Sequence, residues 1–359
     1  MEIKEILKQI IHPELKQNIV DANIVQEINT ENDKIKIVLL FKKPVDPFSN
    51  LIKQNIEEKL KKHFSDKKIE IDLRFPEIKT KKLFDALGEV KNIIAIASGK
   101  GGVGKSTVAA YMAVALASNG YKVGLIDADI YGPSIPKLLG IMDEKPEVIV
   151  KDGHEIIKPI ERYGVKVLSI GLFVNPEQAL IWRGAMATNA LKQLLEQTEW
   201  GNLDLLFVDL PPGTGDIHLT LVQTVAVTGA VIVTTPQEVA ILDVVKAINM
   251  FINPHINVPI LGIVENMSWF TPAELPQNKY YIFGRGGGEK LAKQFNVPLL
   301  AQIPLVQSIC EEGDKGIPIV NAHTDEAKAF YQLCERFLES LENRNKLVEP
   351  TKKVEIIHK

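Results

Sequence analysis

A glycine-rich segment constrains the fold of this chain more than any other feature of the sequence. Residues 99–107 read GKGGVGKST, which fits the pattern G-x-x-x-x-G-K-[ST]. A short apolar run, residues 93–97, precedes it, and a stretch with helical spacing begins near Ser106. Glycines permit positive φ angles, so backbone N–H groups can surround an anion that also faces the positive end of a helix. The segment therefore predicts a phosphate-binding loop between a strand and a helix.

Three side chains of this loop carry the chemistry. In a loop of this pattern, Lys105 would neutralise the β- and γ-phosphates of a nucleotide, and the Ser106 hydroxyl would bind Mg²⁺. Lys100 adds a second positive charge, but its place in the loop directs it away from the loop's own γ-phosphate. It could serve the nucleotide of a neighbouring subunit or be a solvated loop lysine, and the residues alone leave both interpretations open.

The region after the loop predicts one large α/β domain. Its further apolar runs are residues 123–126, 205–208, 230–233 and 260–264. Runs that are apolar on both faces and alternate with helical stretches are typical of a mainly parallel sheet covered on both sides. We therefore predict a doubly wound domain over residues 91–342, followed by a polar tail over 343–359.

The first 75 residues differ from the rest and are rich in Lys and Glu. Alternating segments at 34–41 and 69–73 predict two strands, and apolar residues at helical spacing precede each of them. The pattern of helix, strand, helix and strand predicts a small α/β domain over 1–75. Residues 76–90 then form a predicted linker.

Composition excludes several classes of protein. The 359 residues include 42 Lys and Arg against 45 Asp and Glu, a formal net charge of −3, which gives no support for nucleic-acid or anionic-membrane binding. No apolar run approaches the roughly 18 residues that span a bilayer, and the N-terminus lacks a targeting pattern. Two cysteines, Cys310 and Cys334, exclude a disulfide framework and an all-cysteine metal site within one chain. We predict a cytoplasmic protein without nucleic-acid or membrane partners.

Three segments resemble one superfamily. Residues 100–107, KGGVGKST, resemble the deviant Walker A motif of the MinD/ParA/nitrogenase-iron-protein superfamily. Residues 127–134, DADIYGPS, resemble its first switch, and residues 209–216, DLPPGTGD, resemble its Walker B motif and second switch. The resemblance implies a P-loop NTPase of the SIMIBI type that binds and hydrolyses ATP with Mg²⁺ as a homodimer.

The resemblance also implies roles for single residues. Lys100, Lys105 and Asp129 would be catalytic: Lys100 would reach the ATP of the partner subunit, and Asp129 would position the attacking water. Asp209 would hold Mg²⁺ together with Ser106, and the Gly213 N–H would sense the γ-phosphate. The implied nucleotide-binding residues are Gly101, Gly102, Val103, Gly104, Lys105, Ser106, Thr107, Gly213 and Asn266, the last of which would read the adenine edge.

Further strings narrow the resemblance. Residues 129–134, 182–184 (WRG), 209–216, 234–237 (TTPQ) and 265–268 (ENMS) are similar to the Mrp/ApbC subfamily of iron–sulfur cluster carrier ATPases. Residues 1–75 are similar to the small domain that often precedes the ATPase in this subfamily. The resemblance implies delivery of [4Fe–4S] clusters to apo iron–sulfur proteins, with assembly factors as further partners. It assigns packing and interface contacts, not catalysis, to Trp182 and Arg183.

One departure from the subfamily concerns its cluster ligands. Subfamily carriers place a C-x-x-C pair shortly after the ENMS segment, whereas residues 267–284 contain no cysteine, and neither do residues 43–47 of the small domain. Iron in a cluster needs thiolate or, less often, imidazole ligands. The chain would therefore use borrowed thiols or act as a nucleotide switch that docks assembly partners. A MinD/ParA-like positioning ATPase and an ATP-binding scaffold without hydrolysis stay open as alternatives.

Overall fold

The computed structural model describes residues 3–13, 15–31, 33–41, 48–74, 85–151, 154–173, 184–272, 274–275, 277–321 and 324–354. It divides into two compact units, Met1–Leu83 and Phe84–Lys359. Three segments named above lie wholly or mostly outside the described residues. They are Trp182 and Arg183, residues 43–47, and most of the predicted linker.

The described residues of the first unit form a three-stranded sheet with two helices. Its elements are α1 (Ile3–Leu7), β1 (Val25–Glu31), β2 (Lys34–Leu40), α2 (Ser49–His63) and β3 (Lys68–Arg74). The strand order is β1-β2-β3, with β1 antiparallel and β3 parallel to β2. Ile35, Ile37 and Leu39 alternate along β2 and are buried together with the apolar stripe of α2. The alternation of the sequence thus correctly predicted β2 and β3.

Strand β1 was not predicted from the sequence. Its seven residues, VQEINTE, include only two apolar side chains, so no alternating pattern is visible. It is an edge strand whose backbone pairs with β2 from Val25↔Leu39 to Glu31↔Lys34. Val25 and Ile28 are partly buried against the core, so backbone pairing with β2 and two apolar side chains together define this element.

The second unit contains one large sheet and eight described helices. Its strands are β4 (Ile93–Ala97), β5 (Val123–Asp127), β6 (Glu147–Lys151), β7 (His154–Lys158), β8 (Ile160–Arg162), β9 (Val165–Ser169), β10 (Leu205–Asp209), β11 (Gly229–Thr234), β12 (Ile260–Glu265) and β13 (Leu299–Gln302). Its helices are α3 (Lys105–Ser118), α4 (Ile135–Leu138), α5 (Gly184–Glu196), α6 (Asp216–Thr224), α7 (Glu238–Ile252), α8 (Gly287–Phe295), α9 (Gln307–Lys315) and α10 (Asp325–Leu347). Strands β6 and β7 pair separately as an antiparallel hairpin.

The eight-stranded sheet has the order β13-β12-β11-β4-β10-β5-β9-β8, and only β8 is antiparallel to its neighbour. The five apolar runs predicted from the sequence are β12, β11, β4, β10 and β5, which are consecutive in this order. Such strands are buried on both faces and are therefore visible as continuous apolar runs. The predicted doubly wound, mainly parallel sheet is confirmed.

Helices cover both faces of the sheet. Ile94 and Ile96 of β4 face a core that contains α3 and α10, whereas Ile93, Ala95 and Ala97 face a second core with α5, α6, α7 and α8. Helix α10 continues to Leu347, and the backbone N–H of Val354 donates to the carbonyl of Val222 at 2.9 Å. Part of residues 343–359 therefore contacts α6 within the second unit. None of the helices in the described part of the chain has the length and apolar character of a membrane span.

Candidate functional site

The carboxyl ends of four parallel strands bring the candidate residues to one edge of the large sheet. Strand β4 leads into the glycine-rich loop, β10 ends at Asp209, β5 ends at Asp127, and β12 ends directly before Asn266. Parallel strands place their carboxyl ends at the same edge, where ligands bind in doubly wound sheets. The strand order therefore assembles a site from segments that are far apart in sequence.

The glycine-rich loop has the backbone that its composition predicts. Gly102 and Gly104 both have φ of +79°, in the left-handed region that favours glycine, and Gly104 directly precedes the first turn of α3. A Cβ at Gly104 would collide with the side-chain amide nitrogen of Asn266. A Cβ at Gly101 would lie 3.9 Å from Pro212 in the second switch segment. Residues 98–104 thus connect β4 to α3 as a tight loop.

Lys105, Ser106 and Asp209 form a buried cluster at the start of α3. The Lys105 ammonium donates to Asp209 Oδ1 at 2.5 Å, and the Ser106 hydroxyl donates to Asp209 Oδ2 at 2.5 Å. Asp209 is fully buried and Lys105 is 6% exposed. Burial raises the pKa of Asp209, and the ammonium of Lys105 opposes that rise. The cluster collects a cation, a hydroxyl and a carboxylate within 3.3 Å of one another.

Asn266 holds the phosphate loop from the side. Its Nδ2 atom donates to the carbonyl of Val103 at 2.9 Å, and its backbone N–H donates to the carbonyl of Thr234 at 2.7 Å. The side chain is 8% exposed. The amide expected at an adenine edge therefore also fixes the backbone of the loop.

Asp127 organises the first switch segment. Its carboxylate accepts hydrogen bonds from the Ser169 hydroxyl at 3.0 Å and from the backbone N–H groups of Asp129 and Ile135 at 3.2 Å each. Burial, reinforced by the charge of Asp209, raises the pKa of Asp127 to about 7. No motif in the sequence pointed to Ser169, which enters the site because β9 pairs with β5 in register Asp127↔Ser169.

Asp129 lies at a cavity between the two switch segments. Its Oδ1 atom accepts the backbone N–H of Gly132 at 3.2 Å. The cavity has a volume of about 470 Å³. Its lining includes Asp129, Tyr131, Pro211, Pro212, Asp216 and Ile217. A carboxylate on the wall of such a cavity can accept a proton or orient a water molecule.

Gly213 and Lys100 are hydrogen-bonded within the chain. The Gly213 N–H donates to the carbonyl of Ser98 at 2.9 Å, and Gly213 has φ of +91°. The Lys100 ammonium donates to Gln237 Oε1 at 3.2 Å, and this contact is partly buried. Gln237 is the last residue of the TTPQ string, and no role was predicted for it from the sequence.

Glu265 has a structural role that was not predicted from the sequence. Its buried carboxylate accepts the Gly288 N–H at 2.6 Å and the side-chain amide of Gln302 at 2.8 Å. Gly288 lies in the first turn of α8, so an internal carboxylate satisfies this helix start. The glycine-rich residues 284–288 are therefore the entry to a helix.

The two cysteines lie in different environments. Cys334 is buried beside the Met112 carbonyl, 3.7 Å from its Sγ, and burial raises the pKa of its thiol to about 12. Cys310 is exposed on α9. Among the described residues, no group of three or more His, Cys, Asp or Glu side chains could hold a metal ion.

Aromatic residues occupy the segment where the subfamily carries its cysteine pair. Phe270 and Tyr280 pair through two backbone hydrogen bonds of 2.8 Å. The Lys279 ammonium lies 3.9 Å from the ring centroid of Trp269, within the range of a cation–π contact. The side chains of these four residues therefore offer packing and charge, but no thiol.

The sheet, the loop and the cluster around Asp209 define a P-loop NTPase. Residues 89–338 match a family model described as ParA, NUBPL iron-transfer P-loop NTPase, and the chain belongs to this family. Residues 1–72 match a second model, described as iron–sulfur cluster assembly protein.

Named relatives agree with this assignment. The iron–sulfur cluster carrier protein of Synechocystis sp. is 44% identical over 90% of this chain and 92% of its own length. The protein of the same name from Escherichia coli K12 is 42% identical over 90% of this chain and 88% of its own. These matches confirm the predicted resemblance to iron–sulfur cluster carrier ATPases.

Solved structures support the fold and the class of activity. A nucleotide-binding protein from Archaeoglobus fulgidus, in complex with ADP, is 38% identical with a TM-score of 0.58 and covers 68% of this chain and 94% of that one. The cell division ATPase MinD from Pyrococcus furiosus is 27% identical with a TM-score of 0.51 and covers 69% of this chain and 98% of that one. The predicted class, an NTP hydrolase, is confirmed.

We expect Asn266→Ala to weaken nucleotide binding about tenfold. The substitution removes the donor to the Val103 carbonyl and frees the loop backbone, and one lost hydrogen bond corresponds to roughly 1 to 1.5 kcal/mol. Titration with a fluorescent ADP analogue measures the effect, with Asn249→Ala on the exposed side of α7 as the control. Equal affinity of Asn266→Ala and wild type would contradict this role.

Proposed function

We propose that this chain is a homodimeric, Mg²⁺-dependent ATPase that transfers iron–sulfur clusters to apoproteins or assists that transfer. The observation that carries the proposal is the cluster of Lys105, Ser106 and Asp209 at the end of the phosphate loop. This cluster combines the phosphate-binding cation with the hydroxyl and the carboxylate that P-loop NTPases use for Mg²⁺. Family membership supplies the iron-transfer part of the proposal.

The donor set fits Mg²⁺. Ser106 Oγ and Asp209 Oδ2 are oxygen atoms 2.5 Å apart, and Mg²⁺ prefers oxygen ligands from one or two side chains with water and phosphate. Mg²⁺ bound there would neutralise charge on the triphosphate. Lys105, now paired with Asp209, would turn its ammonium to the phosphate oxygens. The backbone of residues 101–107 and the amide of Asn266 would hold the rest of the nucleotide.

Residues of the two switch segments would perform hydrolysis. Asp129 would orient the attacking water at the cavity that it lines with Tyr131 and Pro212. Gly213 would exchange its bond to Ser98 for the γ-phosphate, because phosphate oxygens are stronger acceptors than a carbonyl. Lys100 would contact the ATP of the second subunit, so that turnover requires the dimer.

In this proposal the iron–sulfur cluster is the cargo. Its thiolate ligands do not come from the segment where the subfamily carries its C-x-x-C pair. Cys334 is buried with a raised pKa, and residues 267–284 contain no cysteine. Thiolates, not thiols, bind iron. A donor or client protein would therefore supply most of the sulfur ligands.

A nucleotide-switched scaffold that binds no cluster itself is the second candidate. The same cysteine arrangement favours it, because one exposed cysteine per chain provides at most two thiolates per dimer. Such a scaffold would use ATP to dock assembly factors and apoproteins. The two candidates share the ATPase cycle and differ in whether a cluster moves through this protein.

Cluster transfer distinguishes the two candidates. We expect anaerobic reconstitution of the chain alone to yield well under one [4Fe–4S] cluster per dimer, by iron counting and absorbance. We expect Mg-ATP to accelerate transfer from a cluster-loaded donor protein to an apo-ferredoxin in the presence of this chain. Lys105→Ala should remove the acceleration. ATP-dependent transfer during which no iron–sulfur absorbance or iron is ever found on this chain would support the scaffold, whereas a full cluster on both wild type and Cys310→Ser would overturn the need for borrowed thiols.

We further propose the domain organisation that the sequence predicted, and we add a role for the first domain. Residues 1–75 would contact assembly partners, residues 76–90 would be a linker, residues 91–342 would be the ATPase and residues 343–359 a tail. The separate family matches, 1–72 and 89–338, and the division of the chain at Leu83 support this organisation. The proposed place of action is the cytoplasm.

A further inference from the structure

The side chain of Gln237 contacts the side chain of Lys100 within the chain. Gln237 directly precedes α7 in an extended conformation, with φ of −62° and ψ of 135°, and makes no side-chain capping bond to that helix. Its Oε1 atom instead accepts the Lys100 ammonium at 3.2 Å. Because the side chain of Gln237 does not cap α7, its amide can bond to another group.

The backbone around Lys100 is fixed by other contacts. The Ser98 hydroxyl donates to the Lys100 carbonyl at 3.0 Å, and the Ser98 carbonyl accepts the Gly213 N–H at 2.9 Å. A Cβ at Gly99 would collide with the backbone of Asp243 and Val244 in α7. The base of the loop therefore packs directly against α7. The remaining freedom of Lys100 is in its side chain, and Gln237 sets where the ammonium lies.

The acceptor that holds Lys100 is neutral. No carboxylate of the described residues lies within 4.0 Å of the Lys100 ammonium. Asp243 of α7, which is near the base of the loop, pairs with Lys246 at 3.2 Å instead. A neutral amide binds an ammonium more weakly than a carboxylate or a phosphate does. A triphosphate can therefore displace Gln237, whereas a carboxylate at this position would compete with it.

We propose that Gln237 is a positioning residue that keeps Lys100 on its own subunit until the triphosphate of a second copy takes the ammonium. The inference rests on the proposed function, because it requires Lys100 to cross the dimer interface. It predicts that the strength of the acceptor at position 237 sets the rate of ATP turnover. A stronger acceptor slows turnover, and removal of the acceptor speeds it.

Two nearly isosteric variants test this relation in opposite directions. We expect Gln237→Glu to lower kcat for phosphate release at least about fivefold, because the new carboxylate forms an ion pair with Lys100. We expect Gln237→Met, which lacks an acceptor, to raise kcat about two- to fivefold. Both should bind a fluorescent ADP analogue with a Kd within about twofold of wild type, since Lys105 and Ser106 are untouched. Damage to the structure would slow both variants, so equal slowing or no change in either would overturn the inference.

A control and a second background complete the test. Asn249→Asp adds the same charge on the exposed side of α7 and should leave kcat unchanged. In a Lys100→Ala background, Gln237→Met should no longer raise kcat, and a persistent rise would overturn the inference. If Lys100→Ala alone turns over at the wild-type rate, the proposed trans role of Lys100 fails. If Lys100→Ala is slow but both position-237 variants are slowed equally, only the role of Gln237 fails. The two failures can therefore be told apart.

Discussion

Replacing Lys105 with alanine is expected to weaken ATP binding at least about 100-fold. The ammonium of Lys105 is the cation at the start of α3, where it would contact the β- and γ-phosphates through charge-assisted hydrogen bonds. Equilibrium titration with a fluorescent ATP analogue measures the loss. Lys145→Ala, which removes an exposed lysine elsewhere in the second unit, is the matched control and should bind normally.

The same substitution also affects folding, and a second variant separates the two effects. Lys105→Ala leaves the fully buried Asp209 without its cation, and a buried charge that loses its partner destabilises a protein by roughly 3–5 kcal/mol. Lys105→Ala with Asp209→Asn removes that charge and should recover part of the lost melting temperature without recovering ATP binding. Retained affinity in either folded variant would contradict the phosphate loop as the binding site.

Replacing Asp129 with alanine is expected to reduce phosphate release at least about 100-fold while nucleotide affinity stays within about threefold of wild type. Asp129 lines the cavity between the switch segments, and the loop residues 101–107 are not part of that lining. The substitution therefore removes the group that would orient water without touching the phosphate contacts. Phosphate release under saturating Mg-ATP, combined with the ADP titration, measures the two quantities.

The control for Asp129 is Asp143→Asn, an exposed carboxylate outside the cavity, which should leave both quantities unchanged. Equal phosphate release by wild type and Asp129→Ala would identify the chain as an ATP-binding scaffold without its own hydrolysis. A loss of affinity as large as the loss of rate would instead place Asp129 in substrate binding.

Much of the fold could be predicted because its strongest signals are local. The strands β4, β5, β10, β11 and β12 are buried on both faces, so each is a continuous apolar run in the sequence. Strand β1 has no such run, and only the structure shows that it pairs with β2. Strands whose stability comes from backbone pairing leave little trace in the sequence.

Some residues of the candidate site could be predicted from the sequence, and others could not. Glycine spacing and the terminal lysine and serine predicted the phosphate loop, since positive φ angles and charge belong to single residues. The sequence predicted a carboxylate at the end of β10 as well. It did not predict that Ser169 would brace Asp127 or that Glu265 would cap α8 at Gly288.

The sequence by itself determined the family, the sheet and the position of the phosphate loop, because each depends on residue types within a short window. Only the tertiary structure decided which partners these residues take. Lys100 meets Gln237 across 137 positions, and Asn266 meets Val103 across 163. Such pairings depend on the order of strands in the sheet, which brings distant loops to one edge and is set by packing of the whole domain.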